Sequence, residues 1–363
     1  MSPDPGSDPP TDLPIPKQKQ TRPVAHRAAA VTAAARTTPA PARASAQAPA
    51  RAVPPARTPP PDATESIVCD VDLLLSLGVL RRGPGDPTYR LALDGAIWRA
   101  CLTPEGPGTV RVHRNGPRVE IAAWGPGAAW LAKRGAAMVG ADDELGDFPA
   151  LVAGHPLLAE AHRRHPRLRL VRTGLVVQSL IPAILEQRVT TAEAFRAWRR
   201  IVERHGEPAP GPAPRELRVP PPPRVWATIP SWEWHRHGVD GKRATTIIRA
   251  VRLASALERT GDLSGEETVQ RLCTIPGIGI WTAAETTQRS HGHADALSVG
   301  DLHLSKHVGY ALTGERDADD ARMLELLEPF RPHRHRAARL ILLTAPGQPR
   351  RTPRAPVPEH RWH

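Results

Sequence analysis

A single aspartate, Asp301, lies twenty residues beyond Trp281 in the stretch Val299-Gly-Asp-Leu-His303, and little around it competes for chemistry. A fixed carboxylate of this kind can stabilise positive charge that develops on a reacting centre, or can orient and deprotonate an attacking water. An aspartate before Leu-His-Leu-Ser also reads as a helix N-cap, and the two roles are compatible. What must position it is the preceding segment, Leu272-Cys-Thr-Ile-Pro-Gly-Ile-Gly-Ile-Trp-Thr-Ala-Ala284. Leu263, Val269 and Leu272 recur at helical spacing and predict a helix over Glu266–Cys273, which Pro276 and Gly277 stop. Gly277 and Gly279 flank Ile278, so the turn can bring backbone N–H groups close to a phosphate. A second helix begins near Trp281, and the positive end of its dipole favours the same anion.

Two further elements carry polar residues at helix ends. Gln178–Thr190 is an apolar helix closing in Gln187-Arg-Val-Thr190, and Thr190 is placed to cap a helix over Ala192–Arg204. Asp240–Ala254 has a buried stripe of Ala244, Ile247, Ile248, Val251 and Ala254, with Lys242 and Arg243 at its start, where they could reach a phosphate.

From about Tyr89 to Thr344, and most closely over Gln178–Thr190 and Leu272–His307, the chain resembles the helix-hairpin-helix DNA glycosylases, in particular the 3-methyladenine DNA glycosylase II branch. The resemblance implies that Asp301 is the catalytic carboxylate beside the sugar C1′, and that Trp281 and Glu285 line the damaged-base pocket. Bifunctional relatives hold a Schiff-base lysine at the Trp281 position, so a tryptophan implies base removal without strand cleavage. Taken alone, Trp281 reads as a core aromatic. The resemblance further implies that Arg188 fills the stack when a nucleotide is flipped out, that Gln187 sits beside the partner base, and that Gly277, Ile278 and Gly279 grip the backbone. A solvated arginine at a helix end is the plain reading of Arg188. Departures from the family pattern are Arg188 for a frequent leucine, Glu285 for an aromatic pocket residue and Leu342 for a tryptophan. Glu285 either offers an acidic wall to an exocyclic amine or a cationic purine, or pairs with Arg289 one turn on.

The implied activity is hydrolysis of the N-glycosidic bond of an alkylated purine in duplex DNA. Glycosylases for oxidised or deaminated purines, and a non-catalytic helix-hairpin-helix DNA-binding protein, remain open. No cofactor is expected, since no cysteine follows the hairpin to build the iron–sulfur loop of endonuclease III relatives, and disulfides are not expected. His235-x-His237 and His333-x-His335 lack further ligands at zinc-like spacing, so no metal is expected.

Composition sets the frame. A formal charge of +12 and a pI near 10.7 suit a polyanionic partner, here double-stranded DNA. Residues 1–62 and 346–363 are rich in Pro, Ala and Arg and poor in large apolar side chains, and are expected to be disordered. No signal peptide or membrane span is read, and the expected setting is a cytoplasmic, nucleoid-associated monomer. The fold class expected is α+β. A small antiparallel domain over 66–148 comprises strands at Tyr89–Leu93, Ile97–Leu102, Thr109–His113 and Arg118–Trp124, with helices at Val71–Leu80 and Ala128–Val139. A helical domain over 149–345 follows, with the proline-rich Pro208–Pro223 as a loop inside it.

Overall fold

The computed structural model of the chain describes residues 59–345; both basic tails fall outside these except for residues 59–62. The described part is α+β. Five strands, β1 (Ala63–Val68), β2 (Tyr89–Leu91), β3 (Ile97–Thr103), β4 (Gly106–Asn115) and β5 (Arg118–Trp124), form one antiparallel sheet in the order β1-β5-β4-β3-β2. Alternation is the cause: Ile97, Val110, Val112, Val119, Ile121 and Ala123 are buried, and Leu131 and Met138 cover them from the following helices. The expected single helix over Ala128–Val139 is two, Ala128–Lys133 and Gly135–Val139. Gly135, a poor helix former, begins the second. β1 was not expected, because Glu65 and Ser66 give it a nearly all-exposed edge with no apolar rhythm. The proline-rich loop carries a two-residue strand pair, Glu207–Pro208 with Arg218–Val219.

Helices make up the remainder and bury two further cores. One joins helix Val176–Leu185 to Trp198, Trp226, Trp234, Ile247, Leu272 and Ile278, with the three tryptophans stacked at centroid distances of 6.2 and 5.9 Å. The other joins Phe148 and Leu158 to Leu304, Val308, Met323, Leu327 and Ile341. Helix Ile280–Ser290 runs between them. The sheet is tied to the first core by Gln178, whose Nε2 donates to Ala100 O at 3.2 Å while its Oε1 accepts from Leu102 N at 3.3 Å. β2 is too short to pair that stretch of β3, so an amide side chain replaces the missing strand.

The N-terminus of Val176–Leu185 is capped from a distance. Glu258 accepts from Val176 N at 2.9 Å and Val177 N at 3.0 Å. Burial outweighs these bonds and pushes its carboxyl up from 4.5 to about 7. A raised acid stabilises the fold when protonated, so this contribution is complete below pH 4.5 and is lost as pH rises through about 7. Glu258→Gln, which stays neutral, should therefore flatten the stability–pH curve over that window, gaining about 3 kcal/mol at pH 8 relative to pH 4.5. Urea melts at the two pH values measure this, and an identical wild-type-to-variant difference at both would disprove it.

Candidate active site and nucleic-acid interface

The hairpin is built as its sequence suggests. Helix Gly265–Cys273 opens with a reciprocal capping box between Ser264 and Glu267, and helix Ile280–Ser290 follows the turn. Leu272, Ile275 and Ile278 are buried and fasten the turn to the core. Gly277 has φ +97°, and a Cβ there would lie 2.3 Å from Thr246 Oγ1. Gly279 faces open space. The Ile278 N–H is already bonded to Ile275 O at 3.0 Å, so Ile278 anchors the turn and offers no donor outward. The N–H groups of Gly277 and Gly279 have no partner among the described residues, and both residues are exposed. With the first amides of the second helix they form a cluster of outward donors at a positive dipole end.

Asp301 stands where that second helix meets helix Leu304–Thr313. Its Oδ1 accepts from His303 N and Leu304 N, each at 2.9 Å, and its Oδ2 accepts from Trp281 Nε1 at 3.1 Å. The carboxylate is thus both cap and free anion, held in place by three donors and half-buried. It opens onto a cavity of about 290 Å³. Glu285, Arg289, Ser298, His307, His335 and Arg339 supply much of the wall, with Leu342 among the rest. Trp281 does not line it. The expected pocket aromatic instead fixes the orientation of Asp301 through its indole N–H, because the ring lies on the side of the helix turned toward the aspartate.

Glu285 does line the cavity, and it pairs with Arg289 at 2.8 Å while accepting from Ser298 Oγ at 2.5 Å. Burial opposes its ionisation, but Arg289, the Ser298 hydroxyl and Arg82 outweigh it and hold the carboxyl below its ordinary value. Burial lowers Arg339 to about 10, with help from Arg289 and Arg336. Arg339 makes no direct ion pair among the described residues, although the Glu285 charge acts on it through space; its Nη2 donates to Leu75 O at 3.1 Å. His335 is held well below its usual value by burial and is neutral. His307 Nε2 is buried without a partner among the described residues. Sequence reasoning passed over Arg339, His335 and His307, although their helical spacing from Leu342 and Asp301 was the available signal.

Facing the hairpin is the turn Glu186–Val189. Arg188 is exposed and has φ +54°, the sole positive φ outside glycine among the described residues. Its neighbours are pinned: Glu186 pairs with Arg82 at 2.7 Å, and Thr190 forms a capping box with Glu193 at the head of helix Thr191–His205. Gln187 is committed inward, donating from Nε2 to Gly277 O at 3.0 Å and Thr282 Oγ1 at 2.8 Å. It joins the two loops. Strain at Arg188 of order 1 kcal/mol is tolerated because both flanks over-determine the turn.

Lys242 is exposed at the start of helix Gly241–Arg252, but Arg243 is not available to a phosphate. Its guanidinium donates to Asp240 Oδ2 at 2.6 Å, Leu185 O at 2.7 Å and Gly238 O at 3.0 Å, and the residue is 5% exposed. The reason lies in a distant segment: the Leu185 carbonyl at the end of the apolar helix needs a donor, and Arg243 supplies it.

This arrangement, helices around a hairpin behind a small antiparallel sheet, is a fold shared with solved DNA glycosylases. In particular, the chain is similar to the 3-methyladenine DNA glycosylase of Archaeoglobus fulgidus, with a TM-score of 0.63 and 18% identity over 77% of this chain and 98% of that one. It is also similar to the 8-oxoguanine glycosylase/lyase of Clostridium acetobutylicum, with a TM-score of 0.61 and 15% identity over 78% and 99% of the two chains. The same Clostridium protein in complex with double-stranded DNA containing cytosine opposite 8-oxoguanine gives 0.60 and 15% over 77% and 96%. No family model matches the sequence, and no curated protein matches it. Proteins of both substrate types overlay almost equally well, so the fold does not separate the branches.

Proposed function

We propose that this protein is a monofunctional DNA glycosylase acting on damaged purines in duplex DNA. The observation that carries the reading is Asp301, a carboxylate oriented by three donors at the mouth of a base-sized cavity, next to a turn presenting unpaired amides. The flipped purine would enter the cavity, and positive charge developing on its sugar would be stabilised by the Asp301 anion, which can also hold the attacking water. Trp281 carries no amine, so no Schiff base forms at that position.

Sequence resemblance favours an alkylated, cationic purine; the cavity favours a neutral one. The Glu285 charge is paired with Arg289, and Arg339 adds a second cation that makes no direct ion pair among the described residues. No Trp, Tyr or Phe lines the wall to bind a cationic base by its π face. Arg339 suits the acceptor atoms of an oxidised or deaminated purine. Duplexes carrying a single 3-methyladenine-type, 8-oxoguanine or hypoxanthine lesion test both levels of the reading. The expected product is an intact abasic strand with no borohydride-trapped adduct, and turnover is expected to be fastest on a neutral lesion. Release of none of these bases would reject the glycosylase reading, and preference for the cationic lesion would reject the reading of the cavity.

Arg188 is then the residue that fills the vacated stack. Arg188→Ala should lower base release about tenfold or more on a paired duplex and far less on single-stranded DNA, where there is no gap to fill. Arg188→Leu should recover most of the loss. Equal loss on both substrates without rescue would assign Arg188 to phosphate binding instead.

A further inference from the structure

Away from the cleft, the C-terminus of helix Thr191–His205 meets helix Ser231–Arg236, and three potential ligands converge there. One donor atom each from His205, Glu233 and His237 lies within 4.8 Å of the other two. His205 Nε2 is 3.0 Å and His237 Nε2 is 3.7 Å from Glu233 Oε1, and the three side chains are 18%, 11% and 8% exposed in the order His205, His237, Glu233. A 3.0 Å separation is short enough for a hydrogen bond, yet the alignment fails. His205 Nε2 and both ring nitrogens of His237 are buried with no hydrogen-bond partner among the described residues.

Unpaired buried nitrogens are costly, and two imidazoles converging on one buried carboxylate, each within ion-pair distance of it, are arranged as ligands around a common centre. Bonds of 2.0–2.2 Å to a tetrahedral ion put donor atoms about 3.3 Å apart. The two measured separations straddle that value, and the two histidines need only a modest rotation to close the third. Arg204 Nε approaches Glu233 Oε1 at 3.4 Å, but its side chain is 68% exposed and can turn into solvent.

We propose that His205, Glu233 and His237 form a site for one divalent transition-metal ion of the zinc class. Two imidazoles and one carboxylate are the donor set of such ions, and three protein ligands leave a fourth position open. Glu233 and His237 line a cavity of about 530 Å³ together with Arg200, Glu203, Arg204 and Arg236, so there is room for a water, a hydroxide or another small anion to complete the shell. The ion clips together two helices that the chain connects through the proline-rich loop and the short helix Pro223–Thr228. Spacing hid the site: His235 is exposed on the other side of its helix, the Glu233–His237 pair is one turn apart, and His205 arrives from a distant segment.

The test uses the full chain, stripped with chelator and titrated with cobalt(II), then zinc. One equivalent of cobalt should give visible ligand-field bands of tetrahedral intensity that zinc abolishes, and zinc should raise the melting temperature by several degrees. Glu233→Gln should weaken cobalt binding by at least about tenfold, and His237→Ala and His205→Gln should each remove the bands. His205→Gln, at a helix end, guards against misfolding of the His237 variant, and circular dichroism checks both. His235→Ala should change nothing. Absence of the bands in the wild type, or bands that persist in both histidine variants, would overturn the site.

Discussion

Asp301→Asn should slow base release by about a thousandfold or more while shifting folding stability by only about 1 kcal/mol. Asparagine keeps an oxygen to accept from His303 N and Leu304 N, so the helix cap survives. What disappears is the charge, together with the acceptor facing Trp281 Nε1, since the amide nitrogen now points there. The charge matters only when the sugar becomes cationic, so substrate binding should hardly change. Single-turnover base release and thermal melts of the same preparations make the comparison. A variant that keeps most of the wild-type rate would leave Asp301 as a cap and nothing more, and the protein as a DNA binder.

The two hairpin glycines should respond in opposite ways to the same substitution. Gly277→Ala forces a side chain into φ +97° and brings its Cβ to 2.3 Å from Thr246 Oγ1, which is itself bonded to Lys242 O. The cost should be roughly 3 kcal/mol, a fall in melting temperature of about 5–10 °C. Gly279→Ala meets nothing within the protein, and its φ of −101° suits any residue. The melt should be unchanged, yet the added methyl occupies the space through which a phosphate would reach the amides, so duplex affinity should drop by about tenfold. Equal DNA affinity for wild type and Gly279→Ala, measured at one salt concentration, would mean the turn does not hold the backbone.

Local rules carried the sequence reading where they act alone. The helices of the hairpin, the Thr190 cap and four strands follow from capping residues, glycine placement and alternation, and they emerge close to the expected bounds. The reading failed where a side chain's direction depends on distant partners. Arg243 looked like a phosphate ligand but turns inward to the carbonyls of Leu185 and Gly238. Trp281 looked like a wall and serves as a donor to Asp301. Glu285, whose two readings could not be separated on spacing, both pairs with Arg289 and lines the cavity. β1 has no apolar rhythm to betray an edge strand, and His205 is separated from Glu233 by an entire loop.

The Gln187 amide, bonded at once to Gly277 O and Thr282 Oγ1, makes a strut between the loop that would grip a phosphate and the loop that would enter the stack. With the strut in place the two cannot move independently, and their separation acts as a ruler laid along one strand. A glycosylase built this way, as proposed, would sample each nucleotide at a fixed offset from the phosphate it holds. Damage within a regular duplex meets that offset, whereas a lesion displaced by a neighbouring bulge is out of step with it. On the proposed reading, tolerance for irregular DNA is set by the rigidity of one amide side chain that does not itself touch the Asp301 carboxylate.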